Sequence, residues 1–295
     1  MDTKCAPSKI YKDGSCFTLK SLKKIAESYN LKNPNNKISI SDNKEKMVDE
    51  LEKKLSNKCN EQTCWLRMDF VEALRDEEIK NNTFRPEGPS KKNEWLSTSD
   101  INNVVQQYQE KYKNFLFLGA VPADFEEIPI LGIKDLDLDD VVKNGKTKIG
   151  MVINLDEHWK SGSHWVALYT DLDKGQIYYF DSFAKKPYKR TRKFINRIVK
   201  YLYRNKYRKD IKINNVIQKL KGGNNNKVLD EFKPFDIKYN TIQHQFNNSE
   251  CGVYSINFIV RLVRGESFDE ITENITKDDE MNKCRGSYFR NVNTS

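Results

Sequence analysis

The sequence predicts a protein of the α+β or α/β class rather than a β-sandwich, preceded by a helical amino-terminal region. Three observations carry that reading. Apolar runs of strand length alternate with helical patterns through the second part of the chain. Before residue 80 only helical periodicity is found. Between the two regions, "NNTFRPEGPSKKN" at 81–93 interrupts every pattern with two prolines and a glycine, which reads as a linker. The boundary is placed there, giving an accessory domain over 1–85 and a second domain over 86–295.

Each element follows from local pattern. In "TLKSLKKIAESYN", Leu19, Leu22, Ile25, Ala26 and Tyr29 fall on one helical face and Thr18 is placed to cap it. In "SDNKEKMVDELEKKL", Met47, Val48, Leu51 and Leu55 do the same. A third helix is predicted over "WLRMDFVEALRDEEI", after Cys64. Beyond the linker, "LSTSDINNVVQQYQEKY" is a capped helix, and "NFLFLGAV", "KIGMVINL", "HWVALYT" and "QIYYF" have strand character. Residues 188–207 read as helix, "FDIKYNTI" alternates like a strand, and 251–263 is apolar enough for a buried helix.

Composition sets limits on function. A chain of 295 residues with 37% apolar and 11% aromatic residues buries a real core, which excludes a disordered chain. No apolar run approaches the ~18 residues of a membrane-crossing helix. The start, "MDTKCAPSKIYKDGS", lacks a signal-peptide core, so an intracellular, non-secreted protein is expected. Cysteines at 5, 16, 59, 64, 251 and 284 are unevenly spaced and suit reduced thiols better than a disulfide framework. Cys5, Cys16, Cys59 and Cys64 could complete a four-sulfur zinc site only if something brought them together, and no spacing does, so no metal is expected. The net charge of +9 is concentrated: residues 186–227 hold fifteen Lys or Arg and one acid, Asp210. That block is either a solvated helix and loop or a surface for DNA or another acidic partner.

One cysteine stands apart. "QHQFNNSECGVYSINFIVRLV" runs from a polar loop into an apolar helix that begins at Cys251, with Asn247, Asn248 and Ser249 as candidate caps. Unsatisfied amides and the helix dipole at that position favour a thiolate, the reactive form of cysteine. Gly252 leaves room for close approach by a substrate. A nucleophile needs a base, and only His158, His164 and His244 are available. His164 opens "HWVALYT", which leads through "DLDK" into "GQIYYFD". If Thr170 pairs with Gly175 across a four-residue loop, His164 faces Asp181 at the open end of a hairpin, and a two-residue change of register keeps both on one face. His158 lies among charged and small residues and reads as loop; His244 reads as a packing or hydrogen-bonding residue.

The constellation implies a Cys-His-Asp hydrolase that needs no cofactor. Cys251 is the nucleophile, His164 the base and Asp181 the group that orients the imidazole and supports its cation. Gln245 and the Cys251 backbone N–H are the candidate oxyanion donors.

"GSHWVALYTD", "YYFDSF" and "QHQFNNSECGVYSINFI", in that order, resemble the adenain-like and ubiquitin-like-protein-specific cysteine proteases. Their pattern is His-Trp, an Asp or Asn after a strand, and a Gln separated by five residues from the Cys of Asp/Glu-Cys-Gly. Gln245 and Glu250-Cys251-Gly252 fit it. The similarity is strongest to the African swine fever virus polyprotein protease branch and its giant-virus relatives, and "CNEQTC" at 59–64 and "LSTSDINNVVQQYQEKYKNFLF" also look like that branch. The resemblance implies an α+β fold with a central mixed sheet flanked by helices, a papain-type core, and catalytic roles for His164, Asp181, Gln245 and Cys251. It further implies that Trp165 packs over a narrow Gly-Gly segment of a polypeptide substrate. Cleavage would follow Gly-Gly in viral structural polyproteins, in the virion or the cytoplasmic viral factory. That branch carries Asn as third member, whereas Asp181 is as in the SUMO proteases, so a protease removing SUMO or ubiquitin-like modifiers is the alternative. A catalytically inactive nucleic-acid-binding or scaffold protein is the remaining one.

Overall fold

In the computed structural model the chain divides into two compact units, residues 93–282 and residues 1–92 with 283–295. The structure describes the chain apart from residues 1–4, 7–8, 60–61, 67, 77, 80–84, 90, 92, 213–215, 221, 225–234 and 291–295. Part of the predicted linker and of the basic block therefore lies outside the described residues.

The first unit is built on α1 (Leu19–Lys32) and α2 (Lys44–Leu55), both legible in the sequence. The Thr18 side chain accepts from the Ser21 N–H, as expected of that cap. Leu22, Ile25, Met47 and Leu51 meet in a core shared with Phe17 and Trp65. The predicted third helix is instead two single turns, Gln62–Trp65 and Asp69–Glu72, separated by an extended Met68. A continuous helix would spread Trp65, Leu66, Phe70 and Val71 too widely around its axis to bury all four. Broken turns bury them all.

The expectation of free thiols in this unit is also corrected. Cys5 pairs with Cys16 and Cys59 with Cys64, with Cα–Cα separations of 5.2 and 5.5 Å. The turns that bury Phe17 and Trp65 bring the sulfurs together, a tertiary effect that spacing does not reveal. Late in the chain, the Arg290 N–H donates to the Pro86 carbonyl and Phe289 occupies the space that a side chain at Gly88 would need. The sequence boundary, drawn as a single crossing, does not contain this return.

The second unit is a five-stranded mixed sheet in the order β1 (Phe115–Val121), β2 (Lys148–Asn154), β3 (Trp165–Asp171), β4 (Gln176–Phe180), β5 (Asp236–Tyr239). The outer pairs are parallel and the central β2–β3–β4 pairs antiparallel. One face carries Ile149, Val166, Leu168, Ile177 and Tyr179, and α4 (Lys189–Tyr207) covers it with Phe194, Ile195, Ile198 and Leu202. α5 (Cys251–Arg264) packs on the other face, where Phe258 stacks on Phe180 at 5.0 Å. Each such buried side chain contributes about 1.5–3 kcal/mol. α5 comes close to the strands because Gly150 has no side chain: a Cβ there would lie 2.8 Å from the Phe115 ring and 3.2 Å from Ile259. α3 (Thr98–Lys111) packs against β1 and begins with a complete capping box between Ser97 and Asp100. Among the described residues no helix is long and apolar enough to cross a membrane.

The β3–β4 hairpin differs from the expected register by two residues. Thr170 pairs with Ile177 and Leu168 with Tyr179. Turn chemistry is the cause: Asp171 accepts from the Lys174 N–H and Gly175 takes a positive φ of 66°, so the loop is 172–175 rather than 171–174. A shift of two preserves every side-chain face.

With four of the six cysteines in disulfides, unreduced protein unfolded in guanidinium should show two titratable thiols. A thiol-reagent assay that finds six without added reductant would contradict the pairing.

Candidate active site

The site lies at the end of the β3–β4 hairpin, beside the first residue of α5. His164 directly precedes β3 and Asp181 directly follows β4. The two-residue shift makes them diagonal neighbours rather than facing partners, and the His164 ring lies 4.8 Å from that of Phe183. His164 Nε2 is 2.7 Å from Asp181 Oδ1. The Cys251 sulfur is close enough to the same ring to favour its protonated form. Sequence reading therefore selected three residues that the fold brings together.

All three are buried: Asp181 is 0% exposed, Cys251 3% and His164 8%. Burial disfavours a charged imidazole, but hydrogen bonds to Asp181 and Cys251 and the charges on both outweigh it. The His164 pKa is raised from 6.5 to about 9. An imidazole held cationic between a sulfur and a carboxylate is the partner a thiolate requires.

The carboxylate is fixed by groups that sequence reading did not single out. The Phe183 N–H donates to Asp181 Oδ1. Asn240 brackets the Asp181 backbone, its Oδ1 accepting from the N–H at 2.9 Å and its Nδ2 donating to the carbonyl at 2.7 Å. Ser182, the next residue, accepts at its carbonyl from the N–H groups of His244 and Gln245 and donates its hydroxyl to Gln245 Oε1 at 2.6 Å. Gln245 is 0% exposed, and its Nε2 donates one hydrogen to the Asn247 carbonyl. That bond uses one of its two amide hydrogens.

The expected caps of α5 do not form. Glu250 is the N-cap and no side chain caps the helix; the Ser249 hydroxyl donates instead to Glu250 Oε1, which also accepts from Asn282 Nδ2. The first amides of α5 are thus not satisfied by a capping side chain, a useful arrangement where negative charge develops.

The loop between Gln245 and Cys251 is held from outside. Asp278 Oδ2 accepts from the N–H groups of Phe246 (2.8 Å) and Asn247 (2.9 Å), and Oδ1 lies 3.2 Å from the Tyr254 hydroxyl. Nothing in "TKDDE" distinguishes Asp278 from an ordinary acid at a helix start.

Gly252 has a different explanation from the expected one. A Cβ there would lie 2.9 Å from the Leu96 Cβ, so the space assigned to substrate is filled by Leu96. The Leu96 carbonyl also accepts from the Trp165 indole N–H at 2.9 Å. Trp165 is thus anchored and only 5% exposed, while neighbouring Trp95 is 47% exposed. The Trp95–Leu96 segment beside the site was missed; an exposed tryptophan just ahead of a capping box was the available signal.

Of the remaining histidines, His244 is buried with Nε2 3.0 Å from the Thr272 carbonyl, and burial lowers its pKa, as suits a packing residue. His158 is in a loop, as expected, but its Nδ1 lies 2.6 Å from Asp124, which is 1% exposed. That second His–Asp pair was not foreseen, because its acid lies 34 residues away.

Two outcomes follow. A pKa raised above the unfolded value stabilises the fold fully below about pH 6.5 and ceases to do so as pH rises through about 9. NMR titration of ring-labelled protein should accordingly find the His164 midpoint near 9, falling in Asp181→Ala; a midpoint of 6.5 in the unaltered protein would remove the imidazolium. Asp278→Ala should lower kcat about ten- to hundredfold with a smaller change in KM, because charge-assisted bonds of ~1.5–3 kcal/mol hold the Gln245 loop. Unchanged kcat would show that the loop holds its shape alone.

Comparison with known proteins agrees with this geometry. Residues 146–294 match the model of the Ulp1 protease family, C-terminal catalytic domain. A relative from Acanthamoeba polyphaga mimivirus, named as a thiol protease, is 33% identical across 97% of this chain and 93% of its own. A SUMO-1 cysteine protease of African swine fever virus is 25% identical over 81% of this chain and 86% of its own. The crystal structure of the African swine fever virus protease superposes with a TM-score of 0.56 at 20% identity, covering 99% of this chain and 97% of that one, a likeness of fold. With the matched catalytic domain lying over the assembled Cys–His–Asp cluster, the chain belongs to the Ulp1 protease family and is a cysteine protease.

Proposed function

We propose that this protease cleaves peptide bonds after Gly-Gly in viral structural polyproteins, with Cys251, His164, Asp181 and Gln245 as its catalytic residues. The observation that carries the chemistry is the single buried imidazole that hydrogen-bonds Asp181 at 2.7 Å and is held cationic by Asp181 and Cys251 together. With the thiol proton already held on the His164 imidazolium, the Cys251 sulfur attacks the carbonyl carbon after the second glycine. Gln245 Nε2–H and the helix-start amides receive the oxyanion. His164 returns the proton to the leaving amine as the C–N bond breaks, leaving a thioester. Water, deprotonated by His164, then releases the acid and restores the thiol.

Selection for glycine follows from the family resemblance of the His-Trp and Glu-Cys-Gly motifs. In this reading Trp165, held by its indole N–H on the Leu96 carbonyl, would pack over the narrow Gly-Gly segment. A viral substrate is supported by the viral origin of the relatives. One observation favours a second reading: the third member is Asp181, the residue of SUMO proteases in this family, which suits removal of a ubiquitin-like modifier.

Purified protein should cut a Gly-Gly-X peptide, and Cys251→Ala should lower kcat/KM by on the order of 10³ or more. A variant that still cleaves would end the assignment of the nucleophile. If a full ubiquitin-like fusion is cleaved with far higher kcat/KM than the peptide, the second reading replaces the first.

A further inference from the structure

A sizeable cleft lies away from the thiol. It occupies about 1250 Å³ between residues 123–135 and the solvent side of α4. Small-molecule pockets are roughly 300–1,000 Å³, so this one suits a longer ligand. Lys189, Arg192, Lys193, Arg197 and Lys200 line it along one stripe of α4, spanning ~16 Å at 1.5 Å per residue. That length matches about five residues of extended peptide.

The charge of the cleft is only partly answered from within. Glu126 pairs with Lys193 and Arg197 at 3.2 and 3.1 Å, and Glu127 with Arg190 at 3.2 Å. Lys134, Lys189, Arg192 and Lys200 line the cleft and pair with no carboxylate among the described residues. The placement of Lys189 and Arg192 is unfavourable for the helix itself. Its first turn holds Lys189 and Arg190 but no acid, Arg192 follows directly, and Tyr188 provides no side-chain cap, so positive charge sits at the positive end of the helix dipole. Residues kept at a cost to stability point to a binding role.

We propose that this cleft docks an extended acidic peptide segment of a partner protein, with apolar side chains between its carboxylates. The opposite wall is apolar at Ile128 and Pro129, and the adjacent Ile130 is 92% exposed within an ordered turn. A nucleic acid fits less well. Phe125 and Phe194 are 0% and 1% exposed and offer no ring face for a base. Glu126 and Glu127 in the wall repel a continuous phosphate backbone, whereas spaced carboxylates can avoid them. The docked segment would lie behind the loop that leads into His164, since Asp124 of the cleft holds His158 and Arg190 holds Glu157 at 2.9 Å.

The test uses the full chain carrying Cys251→Ala, so that it reads binding whether or not the proposed cleavage is correct. Fluorescence anisotropy should show saturable, salt-sensitive binding of a labelled peptide of repeating Glu-Leu-Asp units, and none of its Gln-Leu-Asn isostere. The combined Lys189→Glu, Arg192→Glu and Lys200→Glu variant should bind at least about tenfold more weakly while its melting temperature holds or rises, because acids replace cations at the helix start. Lys200→Glu alone, away from the helix terminus, should weaken binding in the same direction. Equal affinity in the reversed variants overturns the proposal. So does tighter binding of a single-stranded oligothymidylate of matched charge, which would assign the cleft to nucleic acid.

Discussion

A single buried imidazole holds the catalytic half of this molecule to its purpose. His164 answers to a carboxylate, through a hydrogen bond, and to a sulfur, through its charge, and the two come from different elements. The carboxylate arrives on the partner strand of a tight hairpin. The sulfur arrives on a helix seventy residues later in sequence, which reaches the sheet only because Gly150 leaves room for it. Hairpin register, glycine position and helix packing are therefore constrained together by the geometry of one ring.

Around that ring the protein spends its polar groups on holding backbone still. Asn240 brackets the peptide of Asp181, Ser182 ties that strand end to Gln245, and Asp278 clamps the two amides that follow Gln245. These side chains sit in low dielectric, where a satisfied hydrogen bond is strong and an orphaned one is costly. Asp181, His164 and Gln245 are consequently parts of one connected network. Substituting any of its supports moves several functional atoms at once, and mutational effects among them should not add.

Much of this arrangement was legible from local pattern. All five strands, α1 to α5 and the helix-start position of Cys251 follow from periodicity and punctuation in the sequence. The pairing of His164 with Asp181 survived an error of two in the hairpin register because side chains repeat every two residues. What sequence reading missed depends on contacts between distant segments. The Trp65–Val71 stretch gave up helical continuity to bury all its large side chains. Four cysteines approached one another because of the core beneath them. Gly252 was needed by Leu96 rather than by substrate room, and Asp278, Asn240 and Asp124 look like ordinary surface residues until the fold places them. The basic block carried a correct signal about charge but no information about the cleft that gathers it.

The two disulfides place a demand on the surroundings that conflicts with the nucleophile's. Strong reducing power keeps Cys251 a thiol but opens the staples of the first unit; strong oxidants keep the staples closed and carry Cys251, the proposed nucleophile, towards sulfinic acid. The intact, working molecule therefore occupies a window of redox potential with two edges. Its depth of burial sets the upper edge, since a sulfur only 3% exposed is shielded from bulk oxidant. Preparations made at opposite extremes would differ in different halves of the same polypeptide.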